Sequence, residues 1–265
     1  MSPDLIFWLA LATKMAVTGA FVVVVSRIAE RVGGVIGGLV ASLPISSGPA
    51  YVFLSLDHDA AFIAESALAS LAVNAGTMVF ALSYIVLAQR RGTAISLVGS
   101  LALWLATTAT VQRLDWTLAG ATATNIVGFV VGLPLASRFR GARLPPAAPR
   151  WYDVPLRAGL VATLIAIVVI ASRHLGPATA GTLAVFPVVF SSLVMIFQPR
   201  IGGPATAALF ANTLSGLIGF TSALIVLHLT AEPVGTPLAL MLALSTSICW
   251  NLMLWFVWRM RRVHP

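Results

Sequence analysis

The chain is a succession of apolar runs, each about 20 residues long, joined by short connectors that carry most of its charge. A helix of about 20 residues crosses the roughly 30 Å hydrocarbon core of a bilayer, so runs of this length leave few folds open. Nine can be marked: roughly 5–26, 33–55, 60–88, 92–111, 116–137, 152–172, 175–197, 203–229 and 235–258. A backbone inside lipid must satisfy its own polar groups, and the runs lack the alternating pattern of barrel strands. The expected fold is an all-α polytopic membrane protein with about nine transmembrane helices. Composition decides one point: at 9% charged residues the chain is too poor in charge to cover a soluble domain. Asp4 stands where a signal peptide would carry its basic region, so no cleavable signal is expected.

Basic residues set the orientation. With nine spans, Arg27, Arg31, Arg90, Arg91, Arg138, Arg140, Arg143, Arg150, Arg200, Arg259, Arg261 and Arg262 fall on one side, against Arg113 and Arg173 on the other. Basic connectors stay in the cytoplasm. The expectation is a multi-pass inner-membrane protein with its N-terminus outside (periplasmic) and its C-terminus cytoplasmic. The net charge of +8 lies between apolar runs rather than on one amphipathic face. The lipid bilayer, and not nucleic acid, is therefore the expected partner.

A sparse repeat runs through the spans. Trp8 matches Trp151 and Lys14 matches Arg157. Gly33, Gly38, Ala41 and Pro44 match Gly176, Gly181, Ala184 and Pro187. Gly76 matches Gly219, and Gly92-Thr93 matches Gly235-Thr236, every pair 143 positions apart. Repeats set architecture before any local reading does. Matched spans are five apart, an odd number, so the two copies cross in opposite directions. This gives a first repeat over 1–111 (spans 1–4), a linking span 5 with a basic loop over 112–150, and a second, inverted repeat over 151–265 (spans 6–9).

Spans 2 and 7 carry the densest matches. Pro44 and Pro187 each lie eleven residues past the glycine that opens their span, roughly 16 Å along a helix and so near mid-depth. Proline removes a backbone donor and clashes with the preceding turn, so helices 2 and 7 should be broken there. The freed carbonyls and the hydroxyls of Ser46, Ser47, Ser191 and Ser192 would then face a ligand. The neighbouring glycines read as packing contacts.

Ionisable groups inside a membrane are costly and point to function. Lys14 and Arg157 each lie six residues past their tryptophan, roughly 9 Å inside the interface. Both can snorkel, and Asp153 is one turn before Arg157. Glu65 is the acid inside a span, at about the depth of Lys14, and its mate in the second copy is Ala208. A Lys14–Glu65 pair coupled to proton binding is one expectation; a permanent structural pair is the other. Asn74, Asn125, Asn212 and Asn251 read as interhelical hydrogen-bonding groups. The Asp57-His58-Asp59 turn reads as solvated.

Several chemistries are missing. There is no G-x-x-x-x-G-K-[ST] loop, no H-E-x-x-H and no G-x-S-x-G. Cys249, the single cysteine, has no recognisable partner. Neither an enzyme, a cofactor nor a metal is expected. In architecture the whole chain resembles the inverted-repeat secondary transporters, with the Pro44 and Pro187 segments standing where such proteins place broken, crossing helices. Many of those have five plus five helices; this chain has five plus four. The resemblance implies alternating access, with Lys14, Arg157, Pro44, Ser46, Ser47, Pro187, Ser191 and Ser192 as substrate-binding candidates and Glu65 as the coupling residue. Two cations against one buried acid favour a small anionic or zwitterionic solute, with a proton or sodium ion as coupling partner and room for a homodimer. The alternatives are an ion channel or lipid-translocating protein, and a non-transporting membrane subunit.

Overall fold

The computed structural model describes residues 3–32, 44–142, 145 and 150–263. Among these the chain forms ten helices and no strand: α1 (Pro3–Val32), α2 (Ser47–Asp57), α3 (Ala60–Leu87), α4 (Thr93–Val111), α5 (Leu118–Ser137), α6 (Asp153–Ala184), α7 (Val188–Ile201), α8 (Gly203–Thr213), α9 (Gly216–Val234) and α10 (Thr236–Val263). Seven of them (α1, α3, α4, α5, α6, α9 and α10) are long and apolar enough to cross a membrane. Large apolar side chains such as Leu5, Val24, Val98, Val130 and Met241 stand on the outside. This is the architecture of a multi-pass helical membrane protein.

Helix α3 is the spine. Its apolar window is 67% buried, whereas no other spanning helix exceeds 44%. It packs against α4, α5, α6, α8 and α9. Small residues let backbones approach, as membrane helix packing requires. A Cβ added to Gly181 would run into the Ser66 carbonyl, and one added to Gly203 into that of Ala88. Gly181 thus has the packing role expected of it. Serine hydroxyls use the same closeness: Ser66 Oγ donates to the Pro177 carbonyl (3.1 Å) and Ser70 Oγ to that of Gly181 (2.6 Å).

The spans are divided differently from the apolar pattern. Residues 33–43 of span 2 lie outside the described residues, with Gly33, Gly37 and Gly38 among them; its second part is α2. Helix α6 is two helical pieces joined across a kink at Gly176, next to the expected start of span 7; its φ of +76° is one that only glycine adopts without strain. Span 7 is interrupted at 185–187, and Pro187 caps the second piece, α7. Span 8 is divided at Leu214-Ser215 into α8 and α9, where Trp250 Nε1 donates to the Ser215 carbonyl at 3.0 Å. The matching element of the first copy, α3, is continuous. Helix starts nevertheless keep the 143-residue spacing: α3 at Ala60 and α8 at Gly203, α4 at Thr93 and α10 at Thr236.

Helices α1 and α6 pack along one another. The Arg173 guanidinium lies 4.1 Å from the centre of the Phe7 ring, so the start of α1 adjoins the far part of α6 and the two run antiparallel. His58, just past α2, reaches Ser172 of α6 at 3.0 Å. Arg200 of α7 reaches Asp153, at the opposite end of the same helix. The stretch of α6 from Asp153 to Ser172 rises roughly 28 Å, about one hydrocarbon thickness. Helices α2 and α7 therefore leave their proline breaks towards opposite ends of the molecule.

Candidate functional site

Between the two breaks is a cavity of about 120 Å³. It is lined by Pro44, Ile45, Ser46 and Ser47 from the first break and by Val185, Phe186, Pro187, Val189 and Phe190 from the second. Asn74 and Thr77 of α3 contribute, as do Gly216, Leu217 and Phe220 of α9. The breaks touch: Ser47 Oγ donates to the Ala184 carbonyl at 2.8 Å. This contact uses an acceptor that would be orphaned at the end of α6.

Four expected site residues (Pro44, Ser46, Ser47 and Pro187) line the cavity together. The other four do not line it. Ser191 and Ser192 turn back on their own helix, donating to the carbonyls of Pro187 (2.8 Å) and Val189 (2.7 Å). A serine hydroxyl next to a free carbonyl takes the local bond. Lys14 and Arg157 belong to clusters at the two ends of α6.

The first cluster overturns the Lys14–Glu65 pair. Lys14 Nζ meets Asp57 Oδ2 at 2.6 Å, with side chains 12% and 20% exposed. Glu65 is exposed. Counting depth along separate spans could not reveal that the end of α2 comes beside α1. Asp57 is therefore an ion-pair partner rather than a solvated turn residue. His58 stacks on Phe62 with ring centres 3.8 Å apart. Burial holds the His58 imidazole below its ordinary range, against the pull of Asp57 and Asp59.

The second cluster overturns the Asp153–Arg157 pair as the main bond of Asp153. Arg200 binds both carboxylate oxygens of Asp153, a bidentate arrangement, and the Arg150 backbone N–H adds a third bond at 2.9 Å. Arg157 stays within electrostatic reach of Asp153. Arg200 also lies over the Tyr152 ring at 5.2 Å. Under the 143-residue displacement Arg200 falls on Asp57, and Asp153 falls one turn before Lys14. Each copy thus ties its first helix to its half-helix by one ion pair, with the signs exchanged.

The sequence reading saw Asn74 only as a bridging group and did not single out Thr77. Asn125 Nδ2 meets two carbonyls, those of Leu71 (2.7 Å) and Ala121 (2.9 Å), which only a nitrogen can do. Its Oδ1 must then face Asn74, so Asn74 donates through Nδ2, to Asn125 at 2.9 Å and to Thr221 Oγ1 at 2.8 Å. Both amide protons are used. Asn74 Oδ1 is left buried without a partner, and so is Thr77 Oγ1 one turn further. Both residues line the cavity. The available signal was their spacing of three, which puts them on one face of α3.

The cavity walls differ between the copies. Displaced by 143 positions, Ser46, Ser47, Asn74 and Thr77 fall on Val189, Phe190, Leu217 and Phe220, and all eight line it. At these four positions one wall is polar and the other apolar, Thr213 being the polar side chain that the second half adds. No lining residue among those described is charged, and no group of three or more acids, histidines or cysteines lies together among them. The chain matches no known family model, no curated protein and no solved structure.

Proposed function

We propose that the chain is a secondary transporter working by alternating access, and that its small anionic or zwitterionic solute binds in the cavity between the two proline breaks. One observation carries this reading: the start of α2 at Pro44–Ser47 and the interruption at 185–187 meet at a cavity lying between ion-pair clusters about a bilayer thickness apart. Interrupted helices at corresponding points of two repeats favour a binding site near mid-depth. The 143-residue correspondence of helix starts supports an inverted repeat, with the N-terminus outside and the C-terminus in the cytoplasm of an inner-membrane protein.

Lys14 is neutralised by Asp57, and Arg157 is not among the lining residues. Support comes instead from α2 and α7, whose N-termini both open on the cavity. The dipole of a helix favours a negative group at its N-terminus. A zwitterion fits best, because the same cavity holds acceptor oxygens for a positive group.

Counterflow in proteoliposomes tests the reading. Vesicles loaded with an unlabelled small amino acid or carboxylate should accumulate the same labelled compound transiently. Conductance that is blind to the internal load, with no exchange, would replace the carrier by a channel.

A further inference from the structure

The polar wall holds more acceptors than its surroundings satisfy. Asn74 Oδ1 and Thr77 Oγ1 have no partner. The Ile45 carbonyl has none in α2, because the residue four positions on is Pro49, which lacks an N–H. The neighbouring donors are already used: Gly48 N bonds Pro44 O, and Ala50 N bonds Ser46 O. The Val185 carbonyl sits in the gap between α6 and α7 and receives no backbone bond among those outside the helices. Ile45 and Val185 are 6% and 5% exposed, Asn74 and Thr77 2% and 4%. All four line the same cavity.

Buried oxygens without donors are rare, and each calls for a cause such as an ion or water. From these oxygens we infer a binding site for a monovalent cationic group, formed by Asn74 Oδ1, Thr77 Oγ1 and the carbonyls of Ile45 and Val185. The set consists of neutral oxygens, which suits a hard cation of single charge. A divalent ion would need carboxylates, and no lining residue among those described carries one. Asn74 cannot swing away to satisfy itself, since Asn125 and Thr221 hold both its protons. The ligands come from α3 and from both breaks, so a cation there fastens the two halves together. The occupant is either a sodium ion or the primary ammonium of the transported solute, two sources of one chemistry.

The inference rests on the same cavity as the transport reading, but its test needs no flux. The full chain in lipid nanodiscs is heated in sodium chloride, potassium chloride, methylammonium chloride or choline chloride at constant ionic strength. A saturable rise of Tm in sodium or in methylammonium, relative to choline, supports the site and names its source. Thr77→Val keeps the shape and removes the hydroxyl. It should weaken that binding about tenfold while leaving Tm in choline unchanged. Asn74→Ala should abolish binding, and the isosteric Thr77 variant guards against a mere folding defect. A Tm indifferent to every cation, as water-filled oxygens would give, overturns the site. So does a Thr77→Val protein that binds like wild type. Cation binding without counterflow would uphold the site and remove the transport reading. Counterflow without cation binding would do the reverse.

Discussion

The two halves of the molecule share a skeleton and differ in chemistry. Each ends its half-helix against its own first helix through an ion pair, yet in the first half the lysine stands on the long helix and the acid on the half-helix, and in the second half the signs are exchanged. The first pair is a single contact between Lys14 and Asp57 beside a loop. The second is a bidentate pair reinforced by the Arg150 backbone, with Arg157 within electrostatic reach. The cavity walls differ in the same way, polar in the first half and apolar in the second. In the transport reading proposed above, corresponding segments supply the place for a site, and their differing side chains supply the chemistry. Two identical walls would leave no preferred side for a polar group.

The largest effect should come from the second clamp. Asp153→Asn takes the carboxylate charge from the bidentate Arg200 pair, and breaking a part-buried, charge-assisted pair of this kind costs about 2 kcal/mol. Thermal unfolding in nanodiscs reads this as a marked fall in Tm, and a similar Tm would mean that Arg200 finds another acceptor. The first clamp should yield less. Lys14→Met leaves Asp57 near water, and an exposed single contact of this kind is worth about 1 kcal/mol. A loss as large as that of Asp153→Asn would erase the contrast between the clamps.

The smallest effect separates the two ends by pH. Burial keeps His58 below its usual pKa of 6.5. The folded state thus resists a proton that the unfolded chain accepts. Stability is full above pH 6.5 and falls as pH drops through that value towards the lower pKa of the folded protein. Asp57, Asp59, Arg173 and Lys14 are the charges that face this imidazole. The loss should be the smallest of the three, since the loop is partly solvated. It should vanish in His58→Gln, which keeps a partner for Ser172. The Arg150–Asp153–Arg200 cluster has no histidine among its contacts, so Asp153→Asn should leave this acid sensitivity unchanged.

Helical class, long apolar helices and the interruption at Pro187 were legible in the sequence, because each follows from local chemistry; the break expected at Pro44 borders residues outside the described ones. Pro187 ends a helix wherever it stands in one, and Ala60–Leu87 reads as a span from its apolar run alone. The pairings were not legible. Asp57 looks like a loop residue until α2 brings it to Lys14. Asn74 looks like any bridging amide until the two protons of Asn125 are assigned, and only then does its oxygen turn towards the cavity. The kink at Gly176 falls within a few residues of the boundary that the apolar pattern gives between spans 6 and 7.

The burial of α3 bears on how the protein is made. Its polar groups find their partners late in the chain: Ser66 at Pro177, Ser70 at Gly181, Asn74 at Thr221 and Tyr84 at Gln198. When α3 leaves the ribosome none of these has been synthesised. Tyr51 and then Asn125 of α5 cover Ser70 and Asn74 in part, but the remaining bonds of the spine wait for α6 to α9. Biogenesis then depends on the second half closing over the first, and a chain cut after the basic linker would leave that side of its central helix uncovered.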